Sequence, residues 1–569
     1  MTPAGIFEIA LTLALVVGAA YPLGAFIADV FEHRPTFLSK FLRPIEIGFY
    51  RTAGVNSDEE QDWLAYTQSM LIFFAASFLT LYALQRLQNL LPLNPQGFDA
   101  VPPDLAFNTA ISFITNANWQ AYAGETTMSH LTQMLGLTTH NFLDSATALA
   151  MAIALTRAFA RSRSETIGNF WVDLTRAALY VLLPISVVVA IVFVALGVPQ
   201  TLSPWVEAKT LEGAKQVISI GPVASQEAIK LFGNNGGGFF NANSAHPFEN
   251  PSAWSNLIQN WSQLVLPVAS VFAFGRMVSD QRQGRSLLSA MAVLFVVGLI
   301  AIYWAESRGS ALLSAQGVDA TFGNLEGKDL RFGQASQALF VAATTGTGTG
   351  ASNPSLDSLT PIAGLVPMFN LLMGCISPGG AGVGLYSMVL LAVVTVFLSG
   401  LMVGRTPEYL GKKIGAREIR LAIFALLVSP LLLLGLSGAS VELKIALDSL
   451  GNAGPHGLSE IVYAYASTAS DNGSTFGGLN ANTFWYNTTT GIVMLFGRLA
   501  HVIPIMALGG LIAAKPKAPP SVGSLPTHGV LFVVMLLGTI LIVTLLQFLP
   551  ALALGPIAEL FLLKSGAAF

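Results

Sequence analysis

Four short polar segments, rich in Gly, Asn and Thr, break an otherwise apolar chain at nearly even spacing. They are Thr115-Asn116-Ala117-Asn118, Gly233-Asn234-Asn235-Gly236-Gly237-Gly238, Thr347-Gly348-Thr349-Gly350 and Asp471-Asn472-Gly473-Ser474. Centred on Asn116, Asn234, Gly348 and Asn472, the intervals are 118, 114 and 124 residues. Irregular backbone at membrane depth persists only where protein buries it or water bathes it. Four such places in register predict four loops meeting at one pseudo-fourfold axis. Rings of backbone oxygen around an axis are one way a membrane protein selects a dehydrated monovalent cation.

The rest of the chain supports the membrane setting. Of 569 residues, 53% are hydrophobic and 10% charged, against roughly 25% charged in soluble domains. The net charge of −3 gives no nucleic-acid signal. Cys375 is the single cysteine, which excludes an intrachain disulfide. The N-terminal stretch lacks a basic leader, and its apolar run is long enough to span, so it reads as a retained helix.

A membrane span needs about 20 mostly apolar residues. Ten candidates fall near 5–30, 64–88, 130–156, 171–197, 254–275, 286–305, 360–404, 418–440, 485–513 and 528–550. The seventh is too long for one straight crossing. It contains Gly374-Cys375-Ile376-Ser377-Pro378-Gly379-Gly380-Ala381-Gly382, and Gly and Pro at that density break a helix. Two half-helices joined by an irregular loop are expected there. Lys and Arg concentrate in connections near 31–63, 157–169, 276–285, 405–417 and 515–527, which alternate with those carrying the polar segments. The positive-inside rule then places the basic loops in the cytoplasm and the polar segments and both termini outside.

Each polar segment follows a short amphipathic stretch, at 104–114, 225–232, 334–343 and 459–468. Asp104, Ser225 and Ser459 are the expected N-caps. These stretches read as re-entrant helices whose C-terminal ends, partially negative, face the polar segments and a cation. The expected architecture is an all-α polytopic membrane protein with four pseudo-symmetric membrane–pore helix–membrane repeats around a central ion pore, plus two flanking helices. Residues 1–63 form the N-terminal flanking helix and loop. Repeats occupy 64–169 (polar segment near 115–118), 170–285 (near 233–238), 286–417 (near 347–350, with the broken helix near 374–384) and 418–514 (near 471–474). Residues 515–569 form the last flanking helix.

Backbone carbonyls can replace a potassium ion's water without adding full charge, so the ion is held yet can leave. Aiming consecutive carbonyls inward needs dihedrals that glycine adopts cheaply. Asn and Thr add oxygens and brace the loop. The candidate filter residues are therefore Thr115, Asn116, Gly233, Asn234, Asn235, Gly236, Thr347, Gly348, Thr349, Gly350, Asp471, Asn472 and Gly473. Ordinary outer-loop turns would explain any one segment; they explain four in register less well.

Other polar residues lie within the spans. Arg498, inside the ninth, is costly there and should face protein or water, either as an electrostatic stop below the filter or as a tether to loop carbonyls. Asp144 either lines the pore or sits at the outer interface. His246 and Glu249 are too few for a convincing metal site and read as loop braces. Trp254, Trp261, Trp304 and Trp485 fall near span ends, as interfacial anchors do. No G-x-x-x-x-G-K-[ST] loop and no Asp-Lys-Thr-Gly segment occur, so this chain carries no ATP-handling centre.

Three stretches are similar to a known family. They are Thr115-Asn116-Ala117-Asn118-Trp119-Gln120-Ala121-Tyr122, the run from Gly233-Asn234-Asn235-Gly236-Gly237-Gly238 through His246-Pro247-Phe248-Glu249-Asn250-Pro251, and Gly404-Arg405-Thr406-Pro407-Glu408-Tyr409-Leu410-Gly411-Lys412-Lys413-Ile414. They resemble the potassium-binding A subunit of the Kdp potassium-transporting ATPase, one of the superfamily of potassium transporters. The resemblance runs from the first span to the last. It implies high-affinity potassium uptake in a bacterial inner membrane, with potassium as the transported substrate and no organic cofactor. The implied partners are a P-type ATPase B subunit that hydrolyses ATP, a C subunit, a small F subunit and membrane lipid. It marks Asn116, Asn234, Gly348, Thr349, Gly350, Asn472 and Gly473 as filter positions, and gives Gln120 an influence on affinity at the outer mouth. The broken span, through Gly374, Cys375, Pro378, Gly379 and Gly380, would block straight passage, with Arg498 beside it. Relatives often carry an acidic residue where this chain has Cys375. A free-standing channel or ion-coupled carrier of the same superfamily is the alternative.

Overall fold

The computed structural model describes residues 1–319, 321–519 and 525–566, so parts of the expected third repeat (320) and last flanking segment (520–524 and 567–569) lie outside the described residues. In chain order the principal helices are α1 (Pro3–Phe31), α2 (Trp63–Leu90), α3 (Pro103–Ile114), α4 (Thr132–Ala160), α5 (Phe170–Ala195), α6 (Val223–Phe232), α7 (Ala253–Met277) and α8 (Gln281–Glu306). They continue with α9 (Gly333–Gly346), α10 (Pro361–Leu372), α11 (Val383–Val403), α12 (Ala416–Glu442), α13 (Gly454–Ala469), α14 (Phe484–Ala514) and α15 (Val530–Lys564). Among the described residues ten of these are long and apolar enough to cross a membrane: α1, α2, α4, α5, α7, α8, α11, α12, α14 and α15. The chain is a multi-pass membrane protein.

The seventh apolar stretch is divided as its Gly and Pro content requires. At about 1.5 Å per residue, the 12-residue α10 reaches only about half the thickness of a hydrocarbon core. It stops at Met373, and α11 starts afresh at Val383.

Burial separates central from peripheral spans. In α4, 89% of the most apolar window is buried, against 22% in α1, α12 and α15. Alanines at 146, 148, 150, 152 and 154 of α4 let neighbouring backbone come close on all sides. The peripheral spans instead present Phe7, Leu11, Phe424, Leu431, Ile542 and Leu546 outward. That is where lipid tails solvate apolar side chains at no cost. α1 packs along α7. Gly24 is required there, because a Cβ on it would lie 2.6 Å from Ala269 O.

The short helices α3, α6, α9 and α13 lie where the sequence places them, but their starts differ. The caps are Pro102, Pro222, Phe332 and Ala453, not Asp104, Ser225 or Ser459. Proline explains two of these starts. Pro103 and Pro455 occupy the first helical turn, where a missing N–H is not missed and the fixed φ favours helix. Asp104 instead accepts a hydrogen bond from Asn487 Nδ2 of α14 at 2.9 Å. Among the described residues two small antiparallel hairpins interrupt the helical architecture. β1 (Trp205–Lys209) pairs with β2 (Lys215–Ser219), and β3 (Glu408–Tyr409) with β4 (Lys412–Lys413).

Candidate cation site

α3, α6, α9 and α13 all end in the polar segments, and the four segments meet. A Cβ built on Gly236 would lie 2.5 Å from both Ala117 O and Asn472 O. One on Gly350 would lie 1.9 Å from Asn472 O, and one on Gly473 2.1 Å from Ala117 O. One on Gly348 would come within 2.9 Å of Asp471 O and 3.7 Å of Asn234 O. Main-chain oxygens from three segments therefore crowd against glycines of the other hairpins. The backbone reaches this packing through left-handed residues: Asn116, Asn118, Asn234, Gly237, Gly350, Asp471 and Gly473 all have positive φ. Asn and Asp tolerate that region better than other non-glycine residues.

The polar side chains of these segments mostly brace. The Thr115 hydroxyl donates back to Ile111 O at 3.0 Å, and that of Thr347 to Ala343 O at 2.8 Å. Asn235 Nδ2 donates to Asn116 Oδ1 at 2.5 Å, Asp144 Oδ1 at 2.9 Å and Asn118 Oδ1 at 3.0 Å, so one amide joins the first two segments. Asn234 Nδ2 reaches Gln263 O at 2.6 Å and Thr349 Oγ1 at 3.0 Å, which joins the second and third. Asn472 Nδ2 donates to Thr344 O and Thr347 O at 2.8 and 2.9 Å, which joins the third and fourth. Gln120 joins the first two segments as well: its Oε1 accepts from Gly238 N at 2.9 Å. Gly233 O is occupied by Ser145 Oγ at 2.8 Å. These side-chain bonds hold the four segments against one another.

Beneath the third and fourth segments lies the loop between α10 and α11. Ser377 N and Gly379 N both donate to Gly346 O at 3.0 Å, which ties the loop to the end of α9. Cys375 is buried, with Sγ 3.6 Å from Ser470 Oγ, next to the fourth segment. Pro378 follows a cis peptide bond. A Cβ on Gly380 would lie 3.6 Å from Gly348 Cα, and one on Gly382 2.5 Å from Ala148 O of α4. Gly374, with φ +84°, starts the loop. Arg498 stands beside it: Nη1 donates to Asp471 Oδ2 at 2.6 Å and to Tyr386 Oη, in the first turn of α11, at 2.7 Å. The tether is thus to side chains and not to loop carbonyls.

Asp144 is buried and not at an exposed outer interface; its Oδ1 accepts from Asn235 Nδ2 of the second segment at 2.9 Å. Glu249 braces, as expected, but through a partner the sequence reading passed over. Lys230 of α6 is buried between Glu227 Oε2 at 2.5 Å and Glu249 Oε2 at 2.8 Å. Glu249 also accepts from Phe240 N at 2.8 Å, and the His246 ring stacks on Phe240 at 3.7 Å. The missed signal was an i, i+3 Glu–Lys pair in a helix destined for burial, a combination that needs a further carboxylate nearby.

The fold and site define a membrane transporter of the kind built from four helix, re-entrant helix, polar loop, helix units. In solved structures the fold matches that of the potassium transporter TrkH from Vibrio parahaemolyticus, with a TM-score of 0.51 over 88% of this chain and 97% of that one, at 14% identity. Residues 10–561 match the family model described as potassium-transporting ATPase A subunit. The chain is 56% identical to the potassium-transporting ATPase potassium-binding subunit of Allorhizobium ampelinum, covering 98% of both chains. It is 54% identical to the subunit of that name from Methylorubrum extorquens, covering 100% of this chain and 99% of the relative. The chain belongs to the potassium-transporting ATPase A subunit family.

Proposed function

We propose that this chain is the ion-selecting, non-catalytic subunit of an ATP-driven potassium pump. It takes up potassium on the face that carries α3, α6, α9 and α13 and hands it to a P-type ATPase subunit. The observation that carries this reading is the meeting of unlike hairpins at Gly236, Gly350 and Gly473, where only a missing Cβ lets carbonyls of other segments approach. Four different loops can hold one ion asymmetrically, which suits tight capture better than rapid flux. Potassium is substrate here, and Gln120, Asn116, Asn234, Gly348, Thr349, Gly350, Asn472 and Gly473 form its entry.

The path then turns aside. The loop from Gly374 to Gly382 lies across the straight route, with the Arg498 charge beside it. A cavity of about 100 Å³ begins at Gly374, Ser470 and Asp471 and continues between α12 and α15, past Ser429, Thr544 and Gln547. A sideways exit of this kind delivers the ion to a partner within the membrane. The relatives' names, as potassium-binding subunits of a potassium-transporting ATPase, support a complex in which another subunit hydrolyses ATP. The implied B, C and F subunits, the bacterial inner membrane and outward-facing termini complete the reading.

The test is ATP hydrolysis by the co-purified complex against potassium, with sodium as control. Stimulation by potassium and not by sodium is expected. Potassium flux by the chain alone in vesicles without ATP would instead favour the free-standing channel or carrier.

A further inference from the structure

On the face that carries the short helices, three parts of the chain bring together side chains that the transport path does not use. His456 and Glu460 are four residues apart on α13 and share one side of it. Asp357 comes from the turn before α10, and Glu559 from the last part of α15. One ligating atom each of Asp357, His456 and Glu460 lies within 4.8 Å of the other two. Ligands about 2.0–2.2 Å from a tetrahedral zinc stand about 3.3–3.6 Å apart, so small side-chain rotations would close the set.

We propose that Asp357, His456 and Glu460 form a binding site for a divalent transition-metal ion such as Zn²⁺, with Glu559 orienting the imidazole.

Glu460 supplies the observation that points to a ligand. Its side chain is fully buried; Oε1 accepts from Asn452 Nδ2 at 2.7 Å, but Oε2 is buried without a hydrogen-bond partner. A buried carboxylate oxygen left unpaired is costly, and a cation would satisfy it. The imidazole is presented correctly for that role. His456 Nδ1 lies 3.1 Å from Glu559 Oε1, and Nε2 lies 3.0 Å from Asp357 Oδ1. With Nδ1–H donated to Glu559, Nε2 faces the ligating carboxylate of Asp357, the carboxylate–histidine arrangement common behind bound metals. One imidazole with carboxylates suits zinc and its neighbours better than calcium or magnesium, which prefer all-oxygen shells. A cavity of about 650 Å³, lined by Asp357, Asn452, His456 and Glu559, gives the ion a way in.

The ion would fasten α15 and the turn before α10 to the start of α13. α13 ends in the fourth polar segment and α10 leads into the loop at Gly374, so both ends of the candidate path connect to this clamp.

The test uses the full-length protein, purified in detergent with the subunits that accompany it, carrying no polyhistidine tag and stripped with chelator. Equilibrium dialysis against zinc should give one tightly held ion per chain. Glu460→Gln and His456→Gln should each weaken it by far more than tenfold, and Glu559→Gln by about 10–100-fold. Zinc should raise the melting temperature of the unaltered protein and not of Glu460→Gln. X-ray absorption on the unaltered protein, which needs no variant to fold, should show a single imidazole nitrogen with carboxylate oxygens. Failure to retain zinc, equal retention by the variants, or a shell of several histidines would overturn the site and leave the cluster an ion-paired latch only.

Discussion

Arg498 Nη1 lies 2.6 Å from Asp471 Oδ2, a charge pair that joins the middle of α14 to the first residue of the fourth polar segment. Both residues are buried, with Arg498 at 2% and Asp471 at 7% exposure. Removing one member of such a pair leaves the other charge desolvated, at about 3–5 kcal/mol, whereas replacing both with neutral groups can be nearly harmless to stability. Arg498→Met alone should therefore lower the melting temperature sharply. Arg498→Met with Asp471→Asn should recover most of the loss. Potassium affinity should stay impaired in the double variant if the pair also sets the segment's position. A thermal double-mutant cycle with additive losses would remove the coupling.

Gly473 and Gly477 are four residues apart and make opposite predictions. Gly473 has φ +89°, and a Cβ on it would lie 2.1 Å from Ala117 O of the first segment. Gly477 has nothing within 4 Å of the same position. Gly473→Ala must shift main chain at the crossing of two hairpins and should abolish potassium-dependent ATP hydrolysis or raise the half-saturating potassium at least about tenfold, equivalent to about 1.4 kcal/mol. Gly477→Ala should leave both the rate and the half-saturation unchanged. Equal effects of the two substitutions would detach activity from the convergence of the segments.

The contrast between these glycines shows what could be read from the chain alone. Hydropathy located the spans because a bilayer leaves few alternatives to a long apolar helix, and the observed α2, α5, α7 and α14 start within one residue of the expected 64, 171, 254 and 485. The polar segments were visible because such backbone is costly at membrane depth. What composition could not convey was pairing across repeats. Nothing near Asn235 in the chain indicates that its amide joins Asn116, Asn118 and Asp144, residues 91–119 positions away. Nor did Asp471, read as a filter residue, announce Arg498 as its partner. His456, Glu460, Asp357 and Glu559 gave no signal in the chain, because Asp357 and Glu559 come from distant parts of it and meet the other two only in three dimensions.

Lys230 gives a third prediction. It is buried between Glu227 and Glu249, on the helix that leads into the second segment. Lys230→Met would leave two buried carboxylates facing each other, one of which also receives Phe240 N. The cost should be at least about 3–5 kcal/mol, a large share of an ordinary protein's stability. Size-exclusion chromatography should show aggregation or loss of the folded peak. Lys230→Arg keeps the charge and should retain more folded protein. A sharp, unshifted peak for Lys230→Met would show that the carboxylates are satisfied some other way.

The loop between α10 and α11 is held by few bonds and by close packing, which makes its role as a barrier testable. Gly346 O receives both Ser377 N and Gly379 N, so deleting 376–380 removes the anchor at α9 together with the backbone opposite Gly348. Potassium-loaded vesicles containing this deletion should leak without ATP, while the unaltered complex stays tight. A deletion can also disturb folding, so a single substitution provides a second arm. Gly379 has φ +90°, and a Cβ there would lie 2.1 Å from Gly384 Cα in the first turn of α11. Gly379→Val must push the loop out of place without shortening the chain, and it should leak in the same direction to a smaller extent. Tight vesicles from both variants, each confirmed folded by its melting curve, would mean that ion passage is barred elsewhere, with the Arg498 side chain the nearest alternative.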